Sequence, residues 1–232
     1  MASEHAASAD FAPVAALMAD RARAAMLTAL LDGRALAAGE LARVAGVSAQ
    51  TASAHLARLL DGGLVTVVRQ GRHRYYRLRG PDVAQVIEAL SRISPPVRVR
   101  SLRQSRDARR LHRARTCYDH LAGEAGVTLF AALVDGGLIE PGDAVDVTAK
   151  GEERFAELGL DLAALRRTRR AFAGECLDWT ERRPHLNGAL GAALTARMIE
   201  LGWFRQGTTR RALTVTDTGL NGLADAFGCV LE

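Results

Sequence analysis

Glu40-Leu-Ala-Arg-Val-Ala-Gly-Val-Ser-Ala-Gln-Thr-Ala-Ser-Ala-His-Leu-Ala-Arg-Leu-Leu-Asp-Gly-Gly-Leu-Val65, continued by Thr66-Val-Val-Arg-Gln-Gly-Arg-His-Arg-Tyr-Tyr-Arg-Leu78, decides the fold. It reads as helix, tight turn, helix and β-hairpin. Leu41, Val44 and Ala45 form one apolar stripe, and Gly46 breaks the first helix. Ser48 is a ready N-cap, because its hydroxyl accepts from an orphan N–H of the next turn. Ala52, Leu56, Leu59 and Leu60 then recur at helical spacing. Gly62-Gly63 stops the helix, since glycine takes the left-handed conformation at little cost. Two β-rich runs follow, Val65–Val68 and Tyr75–Leu78, with Arg69 to Arg74 at the tip.

The outward face of the second helix carries Gln50, Thr51, Ser53, His55 and Arg58, beginning from Ser48. Small polar residues near a helix N-terminus let the backbone approach base edges in a DNA major groove. Arg69, Arg72, His73 and Arg74 on the hairpin are cations suited to phosphates. In this order of elements the stretch resembles the winged-helix domain of the arsenic-repressor (ArsR/SmtB) family over roughly Asp10 to Leu90. The resemblance implies a DNA-binding repressor, a homodimer built by its flanking helices, and an effector that changes DNA affinity. A two-fold axis would set two reading helices about 34 Å apart on a palindromic site.

Working outward, Phe11, Val14, Leu17 and Met18 fall on one helical face. Asp20 caps a second helix with Ala24, Leu27, Leu30 and Leu31 inward, ended by Asp32-Gly33. After the hairpin, Pro81-Asp82 starts a helix with Val83, Val86, Ile87 and Leu90 on its apolar side, and Ser94-Pro95-Pro96 marks a boundary. Residues 97–116 hold eight arginines against the single acid Asp107. They read either as a connector touching phosphates or as a solvated helix face.

A weak internal repeat follows. Leu59-Leu-Asp-Gly-Gly-Leu-Val65 is echoed by Leu133-Val-Asp-Gly-Gly-Leu-Ile139 and more faintly by Met198-Ile-Glu-Leu-Gly-Trp-Phe204. Val147-Thr-Ala-Lys-Gly151 and Val215-Thr-Asp-Thr-Gly219 then match each other. The spacing predicts two winged-helix-like units after the first. Glu140, Asp143 and Asp146 on the second hairpin would repel phosphate. Between these units, Leu165, Phe172, Cys176 and Trp179 share a face of an expected helix, and a further helix carries Leu186, Leu190, Leu194, Met198 and Leu201 inward. The expected class is thus mainly α with small β-hairpins (α+β). The expected domains are 1–95 for DNA binding and dimerisation, 96–116 as an arginine-rich connector, and 117–232 for sensing or dimerisation.

Composition agrees. The net charge of +5 conceals 19 Lys and Arg against 9 Asp and Glu in residues 1–116, and 12 against 17 in residues 117–232, so only the front half is expected to face a polyanion. No run approaches the ~20 apolar residues of a membrane span, and Met1-Ala-Ser-Glu-His5 lacks the pattern of a signal peptide. Three dispersed cysteines suit a reducing cytoplasm better than a disulfide scaffold.

The metal sites that the resemblance implies are missing. Glu40 to Ala45 offers no cysteine, and Asp82 to Glu88 offers no histidine. The remaining candidates are Cys117 with His120, three apart on an expected helix, and Cys176 with His185. Together they hold the two sulfurs and two nitrogens of a tetrahedral zinc-type site. Thiol oxidation at Cys117 is an alternative, as is a small organic effector in a cleft walled by Tyr118, Phe172, Trp179 and Trp203. No nucleophile elbow, phosphate loop or dinucleotide fingerprint supports an enzyme. The reading is a sequence-specific regulator of double-stranded DNA. The alternatives are an enzyme, or an architectural DNA-binding protein, that carries the winged helix as an accessory.

Overall fold

The computed structural model describes residues 9–71, 73–95, 101–142, 144–207 and 209–231. By internal contacts the chain divides into two compact units, Met1–Ile87 and Glu88–Glu232.

The first unit opens with α1 (Ala12–Ala19) and α2 (Arg21–Ala29). Asp20 caps α2 by accepting from the Arg23 N–H at 2.9 Å. The Arg23 side chain turns back and donates to the carbonyls of Leu17 and Ala16, which satisfies the open end of α1. The short strand β1 (Leu36–Ala37) leads into α3 (Ala38–Ala45), where Glu40 accepts from the Ala37 N–H. Gly46 takes a φ of +67° at its end, as the sequence requires of a turn glycine. Helix α4 (Ala49–Asp61) follows, then strands β2 (Val65–Gln70) and β3 (His73–Leu78) and helix α5 (Pro81–Ile93). The sheet order is β1-β3-β2, all antiparallel. Met26, Leu27, Leu30, Leu41, Leu56, Leu59, Val65 and Leu78 form the buried interior, while Val44 and Leu60 of the expected stripes stay exposed. The hairpin strands run further than their β-branched residues indicated. Arg69, Gln70, His73 and Arg74 are ladder residues, and only the Gly71-Arg72 link lies between the strands; Arg72 lies outside the described residues.

The second unit continues with α6 (Leu102–Arg113), the hairpin β4 (Arg115–Cys117) and β5 (His120–Ala122), and α7 (Glu124–Asp135). Next come β6 (Ile139–Glu140), β7 (Asp146–Val147), α8 (Ala149–Glu157) and α9 (Leu162–Arg166). The pattern then repeats with the hairpin β8 (Gly174–Leu177) and β9 (Pro184–Asn187), then α10 (Gly188–Glu200), β10 (Phe204–Gln206), β11 (Leu213–Val215) and α11 (Asp217–Phe227). Both copies thus contain helix, hairpin and helix, the wing half of a winged helix, each preceded by its own two-stranded hairpin.

The repeated Val-Thr-x-x-Gly motif has a mechanical reason. Thr148 and Thr216 each cap the following helix and donate their hydroxyl to the glycine carbonyl ending the previous one, Gly137 or Gly202, at 2.7 Å. A Cβ on Gly151 would lie 2.0 Å from the Leu138 carbonyl oxygen, and one on Gly219 2.1 Å from that of Trp203. Only glycine lets the capped helix come that close.

Three expectations are corrected. Cys117 and His120 do not share a helix but face each other across β4 and β5. Cys176 lies on strand β8, and the expected helix from Leu165 to Trp179 is α9 followed by loop and strand. The next helix starts at Gly188, so Leu186 belongs to β9. Of the aromatic residues expected to wall a cleft, three make separate contacts. Trp203 packs edge-on to Phe227 in the core, Trp179 lies under the Arg115 guanidinium, and Phe172 under that of Arg166. Among the described residues no helix is long and apolar enough to cross a membrane.

The arginine-rich run supplies the largest fully buried side chain, Arg115. Its Nη2 donates to both Asp178 oxygens at 2.7 and 2.8 Å, with the two side chains 1% and 0% exposed. Asp178 also accepts from the backbone N–H groups of Gly123, Thr180 and Glu181 and from the Thr180 hydroxyl. Burial alone would raise the Asp178 carboxyl, but Arg115 and these donors hold it well below the usual carboxylate range.

Arg115→Met should therefore lower stability by about 3–5 kcal/mol, because it strands a buried charge. Arg115→Met with Asp178→Leu should recover part of that loss in urea titrations. Because the Asp178 pKa is depressed, the pair's contribution should be complete at neutral pH and fall away only below roughly 3.9, the ordinary Asp value.

Candidate functional site

Two sites stand out, one on each unit. On the first, Ser48 accepts from the Thr51 N–H at 3.1 Å, and its hydroxyl also meets the Thr51 hydroxyl at 2.8 Å. This start pins α4 with Ala52, Leu56 and Leu59 inward. Gln50, Thr51, Ser53 and Arg58 lie exposed on the other side. His55 is half-buried and turns sideways, its Nδ1 3.4 Å from Arg23 and 3.7 Å from Asp20. On the hairpin, Arg69, His73 and Arg74 are exposed. Arg69 stands directly opposite Arg74 in the ladder. Like charges so placed cost stability in an isolated hairpin, and an anion laid against them removes that cost. The surface is thus a polar helix beside a cationic hairpin, both free of apolar cover.

The second site is closed. Cys117, His120, Cys176 and His185 are all buried, and their four ligand atoms lie within 4.8 Å of one another. The two sulfurs are 3.9 Å apart. The imidazole rings stack with centroids 5.1 Å apart. Cys117 faces His120 across one hairpin and Cys176 faces His185 across the other. Each hairpin therefore presents one sulfur and one imidazole.

Behind each histidine stands a carboxylate paired with an arginine. His120 Nδ1 is 3.4 Å from Asp119, which Arg170 holds through two contacts. His185 Nδ1 is 3.7 Å from Asp178, which Arg115 holds. The contact between the sulfurs, together with burial, pushes Cys117 up to about 12, while the same contact outweighs burial at Cys176 and lowers it. Burial works against a charged His120, yet the neighbouring Asp119 and Cys117 outweigh it and push its pKa up to about 9. Among the described residues, His120 Nε2 and both ring nitrogens of His185 have no hydrogen-bond partner at normal geometry.

The symmetry of this site was legible in a motif that the sequence reading passed over. His120-Leu-Ala-Gly-Glu-Ala-Gly126 matches His185-Leu-Asn-Gly-Ala-Leu-Gly191. In each copy a histidine strand turns directly into a helix at a glycine with positive φ, Gly123 at +76° and Gly188 at +83°. Gly126 and Gly191 let each helix pass close to its own strand. A Cβ there would lie 2.6 Å from the Leu121 carbonyl oxygen or 2.5 Å from that of Leu186. The same Cβ positions abut the histidine of the other copy, 3.5 Å from His185 Cβ and 3.4 Å from His120 Cβ. Asp119, Arg170 and Asp178 of the supporting shell were not singled out from sequence either. A lone Asp beside a histidine carries no signal until its arginine is known.

The helix-turn-helix domain family matches residues 18–68 of the chain. The chain is 46% identical over 211 residues to the protein named uncharacterized HTH-type transcriptional regulator YdfF of Bacillus subtilis (strain 168), spanning 90% of this chain and 93% of that one. It is 34% identical over 74 residues to the HTH-type transcriptional regulator YgaV of Escherichia coli (strain K12), covering 32% of this chain and 75% of that one. Among solved structures, the transcriptional repressor BigR from Xylella fastidiosa covers 37% of this chain and 87% of its own, with 27% identity and a TM-score of 0.34.

Gly126→Ala and Gly191→Ala should each cost about 1–3 kcal/mol by overpacking. Both should lower the thermal midpoint by similar amounts, because the two positions are equivalent in the repeat.

Proposed function

This chain belongs to the winged-helix, HTH-type transcriptional regulators, the ArsR/SmtB kind that its reading stretch resembles, and from that premise we propose that it acts as a homodimeric repressor on a palindromic operator, released by an effector bound to the second unit. The observation that carries the reading is the exposed surface of α4 and the hairpin. Gln50, Thr51, Ser53 and Arg58 are free to meet base edges, and Arg69, His73 and Arg74 to grip phosphates. Ser48 starts the helix and thereby sets its N-terminus toward the groove. Arg72, which lies outside the described residues, belongs to the same grip by its place in the sequence. His55, tied to Asp20 and Arg23, serves mainly to lock α4 against the α1–α2 corner.

Dimerisation through the flanking helices is supported by the apolar residues they leave uncovered. Phe11 and Val14 are exposed at the start of the chain, and Val86, Leu90 and Ile93 recur at spacings of four and three along α5. The effector would act by changing the populations of two dimer geometries, only one of which fits the operator spacing. The hairpin of β10 and β11 is not assigned to DNA, because Arg211 between its strands is committed to the buried Glu88 and to the Thr116 carbonyl.

Footprinting should show one short palindrome covered by a dimer. Sequence-independent coverage would favour an architectural role instead. Gln50→Ala should cost about 1–3 kcal/mol on the operator and spare non-specific DNA. Arg74→Ala should weaken binding to both and reduce the salt slope by about 1.

A further inference from the structure

We propose that Cys117, His120, Cys176 and His185 form a closed, tetrahedral site for one zinc-type transition-metal ion per chain, and that this ion is the effector of the regulator. The second half of that statement rests on the regulatory reading above; the first does not.

The donor set is the first argument. Two thiols and two imidazoles are the mixed sulfur–nitrogen set that borderline-soft divalent ions prefer over oxygen-loving magnesium or calcium. Geometry is the second. A tetrahedral ion with metal–sulfur bonds of ~2.3 Å sets its two sulfurs roughly 3.8 Å apart. The observed separation is 3.9 Å, against about 2.0 Å for a disulfide. The site therefore stands at the spacing of shared ligands rather than of a covalent bond.

The third argument is the orphaned nitrogens. Buried polar atoms are almost always hydrogen-bonded, and leaving one unpaired costs about 1–3 kcal/mol. Here His120 Nε2 and both nitrogens of His185 are buried without a partner among the described residues. An ion bound through one nitrogen of each ring converts the two lone pairs from a cost into bonds. Asp119 and Asp178 stand 3.4 and 3.7 Å from the Nδ1 atoms, which leaves Nε2 of each ring as the nitrogen for an ion to take. Arg170 and Arg115 fix those carboxylates in turn.

Four buried protein ligands leave no open coordination position, which suits a binding or structural role and not hydrolysis at the ion. Each copy of the repeat supplies half of the ligands. Occupancy thus joins the copies and gives the second unit two states, with and without its central bond.

The test uses the full chain, reduced and stripped with chelator, titrated with cobalt(II) in the absence of DNA. The expected result is an intense visible spectrum of tetrahedral cobalt with thiolate charge-transfer bands, saturating at one equivalent and displaced by zinc. Cys176→Ser should lose charge-transfer intensity, and His185→Ala should change the coordination, each checked by circular dichroism for a retained fold. A weak octahedral spectrum, or no saturation at one equivalent in the wild-type chain, overturns the site whatever the variants do. For the effector role, zinc should change operator affinity by about tenfold in wild type and leave Cys176→Ser unmoved. An unchanged affinity in a chain that gives the cobalt spectrum overturns the effector role alone. Failure to bind any operator, with or without zinc, overturns the regulatory reading and leaves the cobalt result standing.

Discussion

The second unit depends on a charge taken out of water. Arg115 and Asp178 are almost fully buried, so their attraction and their hydrogen bonds must together offset the cost of desolvating both. The pair does so because nothing on Asp178 is left idle. One oxygen serves the turn after β8, the other takes the Gly123 N–H at the entry to α7, and both meet Arg115 from β4. Each copy of the repeat thus lends a group to the same ion pair. The same Asp178 stands 3.7 Å from His185, one of the two stacked imidazoles, so the pair also borders the second site.

The first unit works by a different economy. Its interior is mainly aliphatic, its helix ends are closed by Asp20, Ser48 and the buried Arg23, and the polar residues of α4 and the hairpin are left on the outside. A surface that must exchange water for DNA has to keep its side chains unpaired, so stability there comes from caps and core rather than from surface ion pairs. The opposed Arg69 and Arg74 fit the same logic under the proposed reading, in which a cost in the free protein would become a gain on a polyanion.

How much could be read beforehand follows from the range of the forces. Ser48, Gly46 and the Gly62-Gly63 stop act within one turn of chain, so the helix–turn–helix and its hairpin were legible residue by residue. The strands of the second unit are only two to four residues long, too short for a period of two to register, and Cys176 at helical spacing from Phe172 and Trp179 imitated a helix. Tyr118 at a φ of +61° turns β4 into β5 with no glycine to announce it. The pairing of Cys117 with His120 survived that error, because residues three apart meet both on a helix and across a tight hairpin. Arg115 was invisible for the opposite reason. Within a run of eight arginines nothing distinguishes the one that folds inward until Asp178 has a position.

The two sulfurs are 59 residues apart along the chain. In a disordered polymer, closing a loop of that length carries an entropic penalty that grows as the logarithm of its contour. Here the hairpins, glycines and buried ion pair have already met that penalty before any ion arrives. If the proposed site takes its ion, affinity for that ion is a readout of how well the repeats hold together. A substitution far from the ligands that loosens their mutual packing would register first as a protein that sheds its ion, well before it registers as one that melts.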